Sequence, residues 1–166
     1  MRVTCVFDSS TLILLAKSTL LRTFANPNNA VITSKVNSEV FVKDEAEDVK
    51  IIKKLLDDSL IKKVQIKSAK TDFAADFGLG EGEAEALSLA LQEKFILATD
   101  DWRAIKACKV FDIRFINAIH CLLALYNNKL LDQRLALEKL NTLEKYGRYS
   151  TQIIEDNAKN GSTYPN

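Results

Sequence analysis

The 166-residue sequence predicts an α/β fold, a three-layer α-β-α arrangement around a central, mainly parallel sheet. Three observations predict it. Short β-rich apolar runs recur at 3–7, 30–33, 95–99 and 112–116. Segments of helical periodicity separate them over most of the length, which implies parallel strands covered on both faces. Asp8, Asp101 and Asn117 directly follow such runs, placing them at the carboxyl edge, where open α/β sheets hold their ligands.

Each element has its own warrant. The run 3–7 ends at Asp8, and Ser9, Ser10 and Thr11 can cap a helix over 12–17, a role equally open to Asp8 itself. Ser34 can cap a helix bearing Val36, Glu39, Val40 and Phe41, and 44–60 reads as a long amphipathic helix with Val49, Ile52, Leu55 and Leu56 on one face. A strand is expected over 63–66, then a loop or irregular helix over 67–76. Gly78, Gly80 and Gly82 punctuate the entry to a helix over 82–93 whose buried stripe is Ala86, Leu87, Ala90 and Leu91. After the strand 95–99, Asp100 or Asp101 caps a helix over 102–109. The strand 112–116 leads to helices over 117–127 and 132–146. One domain, 1–150, is followed by a tail, 151–166, expected to be partly helical, with a short helix beginning near 150.

The composition bounds the function less sharply. With 47% hydrophobic residues the chain can build one sizeable core, and 23 basic residues nearly cancel 22 acidic ones, so any nucleic-acid surface must be a local patch. Cys5, Cys108 and Cys121 are widely spaced and only His120 could join them, which argues against disulfides or zinc and for small buried hydrophobes in a reducing cytoplasm. The apolar run 11–16 lacks a basic start and a small-residue cleavage site, and no stretch reaches membrane-spanning length. A soluble cytoplasmic protein without membrane contact is expected.

Asp8, Glu39, Glu83 and the Asp100/Asp101 pair each fall where a strand or helix end turns toward one cleft. Carboxylates gathered there must be protonated or hold a cation, and oxygen-only ligands suit Mg²⁺ or Mn²⁺. Within Gly80-Glu81-Gly82-Glu83-Ala84-Glu85, periodicity places Glu83 with Ala86, Leu87 and Ala90 on the core side and turns Glu85 mostly away. Thr99 can hold a neighbouring carboxylate by its hydroxyl, and two adjacent acids let one bind metal while the other orients it.

The segments Val6-Phe7-Asp8-Ser9-Ser10-Thr11-Leu12-Ile13, Val36-Asn37-Ser38-Glu39-Val40, Leu79-Gly80-Glu81-Gly82-Glu83-Ala84-Glu85-Ala86-Leu87 and Ala98-Thr99-Asp100-Asp101-Trp102-Arg103-Ala104 resemble the PIN-domain family of metal-dependent nucleases. The likeness is to its small prokaryotic branch, related to toxin-type (VapC-like) ribonucleases. By that resemblance Asp8, Glu39, Glu83 and Asp101 are the metal-binding acids, with Ser10 and Thr99 as polar supports. The family often has a proline where this chain has Ser34, and small residues where it has Asn117, Ala118 and His120. Asn117 is a candidate auxiliary ligand.

The chemistry so implied is hydrolysis of RNA phosphodiester bonds, with Asp8 and Asp101 holding the principal ion and Glu39 and Glu83 completing it or recruiting a second. The resemblance further implies a homodimer and a small antitoxin partner that occludes the cleft. Lys35, Arg103, Lys106 and Lys109 are candidate phosphate contacts against a solvated-face reading. Trp102 either covers the cleft rim or packs beside it, packing being the favoured reading, and His120 is expected to pack in the core or within its helix. Two other readings compete. A haloacid-dehalogenase or receiver-type phosphotransfer enzyme would make Asp8 a nucleophile, but Ser10 stands where the former needs a second Asp. A non-catalytic scaffold would bind RNA or a protein without cutting.

Overall fold

The computed structural model describes residues 3–43, 45–68, 72–147 and 149. The tail expected to carry a short helix lies outside the described residues. In chain order the elements are β1 (Thr4–Phe7), α1 (Ser9–Lys17), α2 (Leu21–Ala25), β2 (Asn29–Thr33), α3 (Ser34–Val40), a 3₁₀ turn (Phe41–Lys43), α4 (Glu47–Asp57), β3 (Ile61–Val64), α5 (Phe73–Phe77), α6 (Glu81–Glu93), β4 (Ile96–Ala98), α7 (Trp102–Val110), β5 (Phe115–Ile116), α8 (Ala118–Asn127) and α9 (Gln133–Gly147).

The five strands form one sheet in the order β3-β2-β1-β4-β5, and every neighbouring pair is parallel. Central β1 is registered with Cys5 opposite both Ala30 and Ile96. Helices flank this sheet as the three-layer expectation requires. Because parallel strands are covered on both faces, β1 and β4 read as continuous apolar runs, and Cys5, Val6, Phe7 and all of β4 are buried. From β1 the chain winds outward through β2 to β3, then returns to the opposite side of β1 to lay down β4 and β5. The reversal leaves a crevice between the carboxyl ends of β1 and β4, the place where such sheets bind ligands.

Local departures from expectation have physical reasons. Edge strand β3 begins two residues earlier than expected, because Ile61 is buried while Lys62 and Lys63 are exposed; lysines on an edge guard it against further pairing and hide its period. Helix α2, too short for a periodic signal, was not expected at all. Within the segment expected as a loop or irregular helix, α5 forms around Phe73, which is buried against Phe111 with ring centroids 5.1 Å apart. The Asp8 carboxylate caps α1, the ordinary role open to it in the sequence. One cap falls one position earlier than expected: Thr33, rather than Ser34, caps α3. Among the described residues no helix is long and apolar enough to cross a membrane.

Candidate active site

The crevice between β1 and β4 is where the sheet delivers its acids. Asp8 follows β1 with its amide bonded to the Ala98 carbonyl (3.1 Å), and Thr99 follows β4 with its amide bonded to Ile116 (2.9 Å). The Asp8 carboxylate is 1% exposed. Its Oδ1 accepts the Thr11 amide (2.8 Å) and the Ser10 hydroxyl (3.2 Å), and its Oδ2 accepts the Thr99 hydroxyl (2.5 Å). Ser10 thus bonds the acid two residues before it, whereas the Thr99 hydroxyl serves Asp8 across the crevice rather than an acid next to it in sequence.

Asp100 is the neighbour of Asp8, and Thr11 joins the two. While the Thr11 amide serves Asp8, its hydroxyl donates to Asp100 Oδ2 (2.8 Å). The Ala118 amide donates to both Asp100 oxygens at 3.4 Å, and the Tyr149 phenol donates to Oδ1. Burial raises the Asp8 pKa to about 6 against the hydroxyl and amide bonds that pull it down, and the Asp100 charge adds to the rise. Burial likewise raises Asp100. Hydroxyls and amides partly satisfy the pair, and among the described residues no Lys, Arg or His forms an ion pair with either carboxylate.

Asp101 has a different task. Its Oδ1 accepts the Arg103 and Ala104 amides at 2.7 and 3.2 Å as the N-cap of α7, and its Oδ2 pairs with the Arg103 guanidinium at 3.2 Å. Burial works to raise its pKa, but the Arg103 guanidinium and the two amides outweigh that and hold it below the ordinary value. Arg103 also donates to the Gly78 carbonyl (2.7 Å). Gly78 ends α5 at φ +64, a left-handed conformation that glycine adopts freely. Arg103 is thus engaged within the protein, fixing the β4–α7 turn to the end of α5.

On the other flank, helix termini hold the glutamates. Glu39 reaches α6, where Oε1 accepts the Gly82 amide (2.8 Å) and Oε2 the Ser9 hydroxyl (2.8 Å). A Cβ at position 82 would collide with this carboxylate, so the glycine is what allows the approach. Glu83 folds back to the Gly80 amide (3.0 Å), the reciprocal half of a capping box. Glu85, expected to point away, crosses to the Lys35 amide (2.7 Å), and the Lys35 ammonium pairs with Glu81 at 2.6 Å. Asn117 caps α8 by accepting the His120 amide (2.9 Å), while its own amide donates to His120 Nδ1 (3.2 Å). His120 is held as part of that cap, and burial lowers its pKa.

The structure therefore brings together Asp8, Asp100, Ser10, Thr11 and Thr99, and leaves Asp101, Glu39 and Glu83 on separate partners. Among the described residues no three His, Cys, Asp or Glu side chains form a group that could hold a metal ion. The donor chemistry of the remaining pair still fits a hard cation. Two adjacent buried carboxylates resist simultaneous ionisation, and Mg²⁺ characteristically uses one or two carboxylates with waters and substrate phosphates filling its shell. Thr11 and Tyr149 went unrecognised as site residues. An inward-facing hydroxyl one turn into α1 leaves no mark in the sequence, and Tyr149 lies 49 positions from Asp100. Trp102, expected to pack, is 69% exposed.

Over residues 4–159 the chain matches a family described as a PIN domain. No curated protein matches it. Among solved structures, a PilT N-terminus domain protein, SSO1118, from the archaeon Sulfolobus solfataricus P2 is 17% identical with a TM-score of 0.49, the match covering 74% of this chain and 92% of that one. The family match spans both flanks of the crevice, and the chain belongs to the PIN-domain family.

Proposed function

We propose that this PIN-domain protein is a metal-dependent endoribonuclease that hydrolyses RNA phosphodiester bonds with Mg²⁺ or Mn²⁺. PIN domains are typically nucleases. One observation carries the finer reading: Asp8 and Asp100 sit side by side at the reversal point of the sheet, both biased toward protonation and neither paired with a cation among the described residues. A divalent ion replacing that proton would let both ionise.

Asp8 and Asp100 are the residues that would hold the ion. Bound there, it would supply an activated water and neutralise charge building on the phosphate. Ser10 and Thr99 orient Asp8, and Thr11 ties the two carboxylates into one unit. Asp101 acts as a positioning residue through the α7 cap and Arg103. Glu39, bonded to Ser9 beside Asp8, and Glu83 form the acidic flank toward α6. The same reading extends to a cytoplasmic homodimer, for which light scattering should return twice the 18.6 kDa of the chain, acting as the toxin of a pair whose small antitoxin covers the crevice.

The test is cleavage of labelled RNA by the purified chain. Cutting that requires Mg²⁺ or Mn²⁺, stops with EDTA and is lost in Asp8→Asn is the expected result. RNA that is bound yet uncut at every metal concentration would favour the non-catalytic scaffold and overturn the proposal.

A further inference from the structure

Helix α7 leaves the crevice directly from Asp101, and its nine residues divide cleanly by face. Ala104, Ala107 and Cys108 are buried against the core. Trp102, Lys106 and Lys109 are exposed, and they lie four and seven positions along, so they share one outward stripe. At 1.5 Å per residue the stripe runs about 10 Å from the indole to the second lysine. That length matches about three stacked nucleotides at about 3.4 Å per step. The helix carries no Asp or Glu, and neither lysine forms an ion pair with any described residue.

Each feature has a plainer use except the first. Lys109 lies in the last turn of α7, where a cation complements the helix dipole, and lysines on an exposed face are ordinary. An indole 69% exposed at the mouth of an acidic crevice has no such account, since tryptophan is usually largely buried. Tryptophan alone would suit a protein interface as well, but lysine is depleted at the cores of such interfaces, so the two lysines on the same stripe favour a polyanion. An aromatic platform followed by unpaired cations is instead the pattern that binds single-stranded nucleic acid through base stacking and phosphate neutralisation.

We infer that the outer face of α7 is a track for single-stranded RNA, on which Trp102 stacks an unpaired base beside the acidic crevice and Lys106 and Lys109 meet the phosphates that follow. The inference rests on the hydrolase reading for its choice of substrate. It adds to that reading the residues that would meet the strand: Trp102 under an unpaired base at the crevice mouth, and Lys106 and Lys109 on the phosphates that follow.

Trp102 is the only tryptophan in the chain, so its fluorescence reports on this position alone. The full-length protein is titrated in EDTA, where no cutting occurs, with a single-stranded RNA oligonucleotide and separately with the same sequence as a duplex. Binding is followed in parallel by the anisotropy of labelled RNA. Quenching that saturates together with the anisotropy, and weaker binding of the duplex, are expected. Trp102→Ala should weaken single-strand binding about 5- to 100-fold, the range of one base–aromatic stack, with Trp102→Phe recovering part of it. Removing both lysines should reduce the slope of log affinity against log salt by about 1.4.

Anisotropy that saturates without quenching would overturn the inference, as would unchanged affinity in Trp102→Ala or no RNA binding at all. Emission already shielded from acrylamide in RNA-free protein, and exposed on dilution, would assign the indole to a contact with a second copy instead. Metal-dependent cleavage that persists unchanged in Trp102→Ala would sink this inference and spare the hydrolase. Quenching without cleavage in Mn²⁺ would do the reverse.

Discussion

The two flanks of the crevice hold their carboxylates by different chemistry. On the α6 side, Glu39, Glu83 and Glu85 each accept a backbone amide at the start of a helix, where the N–H groups left without intrahelical partners fix a carboxylate in place. On the β1–β4 side, Asp8 and Asp100 are held largely by the hydroxyls of Ser10, Thr11, Thr99 and Tyr149. A hydroxyl can rotate and can accept as well as donate, so it serves a protonated or a metal-bound carboxylate equally well. The glutamates are tied to the ends of helices, whereas burial biases the two aspartates toward holding a proton.

The largest effect should come from Asp8→Asn. Loss of one of only two paired carboxylates is expected to abolish Mn²⁺ binding in calorimetry and lower RNA cleavage by at least about 100-fold, the scale of removing a preorganised charge at a reaction centre. In EDTA at pH 7.5 the variant should unfold at no lower temperature than wild type, because it removes a buried charge. A lower melting temperature would mean that Asp8 is a structural acid like the glutamates.

The same burial sets a pH dependence. Asp8 has a folded-state pKa of about 6, raised by desolvation from a reference of 3.8, so the folded form binds more protons than the unfolded form between these values. Its contribution is present in full below pH 4 and is lost as pH rises through 6. On the order of 3 kcal/mol of metal-free stability should disappear across that window. Urea unfolding at pH 4 and 7 in EDTA measures it. Mn²⁺ should restore the loss at pH 7, and Asp8→Asn should flatten the profile.

Gly82→Ala sharpens the contrast from the other flank. In an exposed helix interior this change stabilises by up to about 1 kcal/mol, but here the added methyl meets the Glu39 carboxylate and should cost about 1 to 3 kcal/mol, as overpacking does. Chemical denaturation should register that loss while Mn²⁺ affinity falls by less than in Asp8→Asn. The smallest effect expected is that of Tyr149→Phe. Its phenol helps keep Asp100 ionised, so its loss should weaken Mn²⁺ binding about tenfold, the lower end for outer contacts of a metal ligand, with an unchanged cleavage pattern.

Much of this was legible before any coordinates. Asp8 at the end of an apolar run and the parallel sheet follow from residues adjacent in sequence, whereas the Thr99 hydroxyl that serves Asp8 lies 91 positions away. The choice between Asp100 and Asp101 does not, because the turn leaving β4 decides which side chain faces β1 and which caps α7. Glu39 lies 43 positions from the amide that holds it, and Glu85 lies 50 from its own, so neither contact has a local signal. The Gly82 that admits Glu39 looked like helix punctuation. Trp102 was misplaced for a related reason: a helix of nine residues with two alanines and a cysteine on its inner face has no room there for an indole, and the apolar count alone does not reveal that.

Soaking a crystal with Mn²⁺ at pH 7.5 and locating the anomalous difference peak tests the division of labour between the flanks most directly. A peak bounded by the carboxylates of Asp8 and Asp100, with Glu39 still on the Gly82 amide, is the predicted result. A peak centred on Asp101 or Glu83, or no peak in the crevice at saturating Mn²⁺, would contradict it.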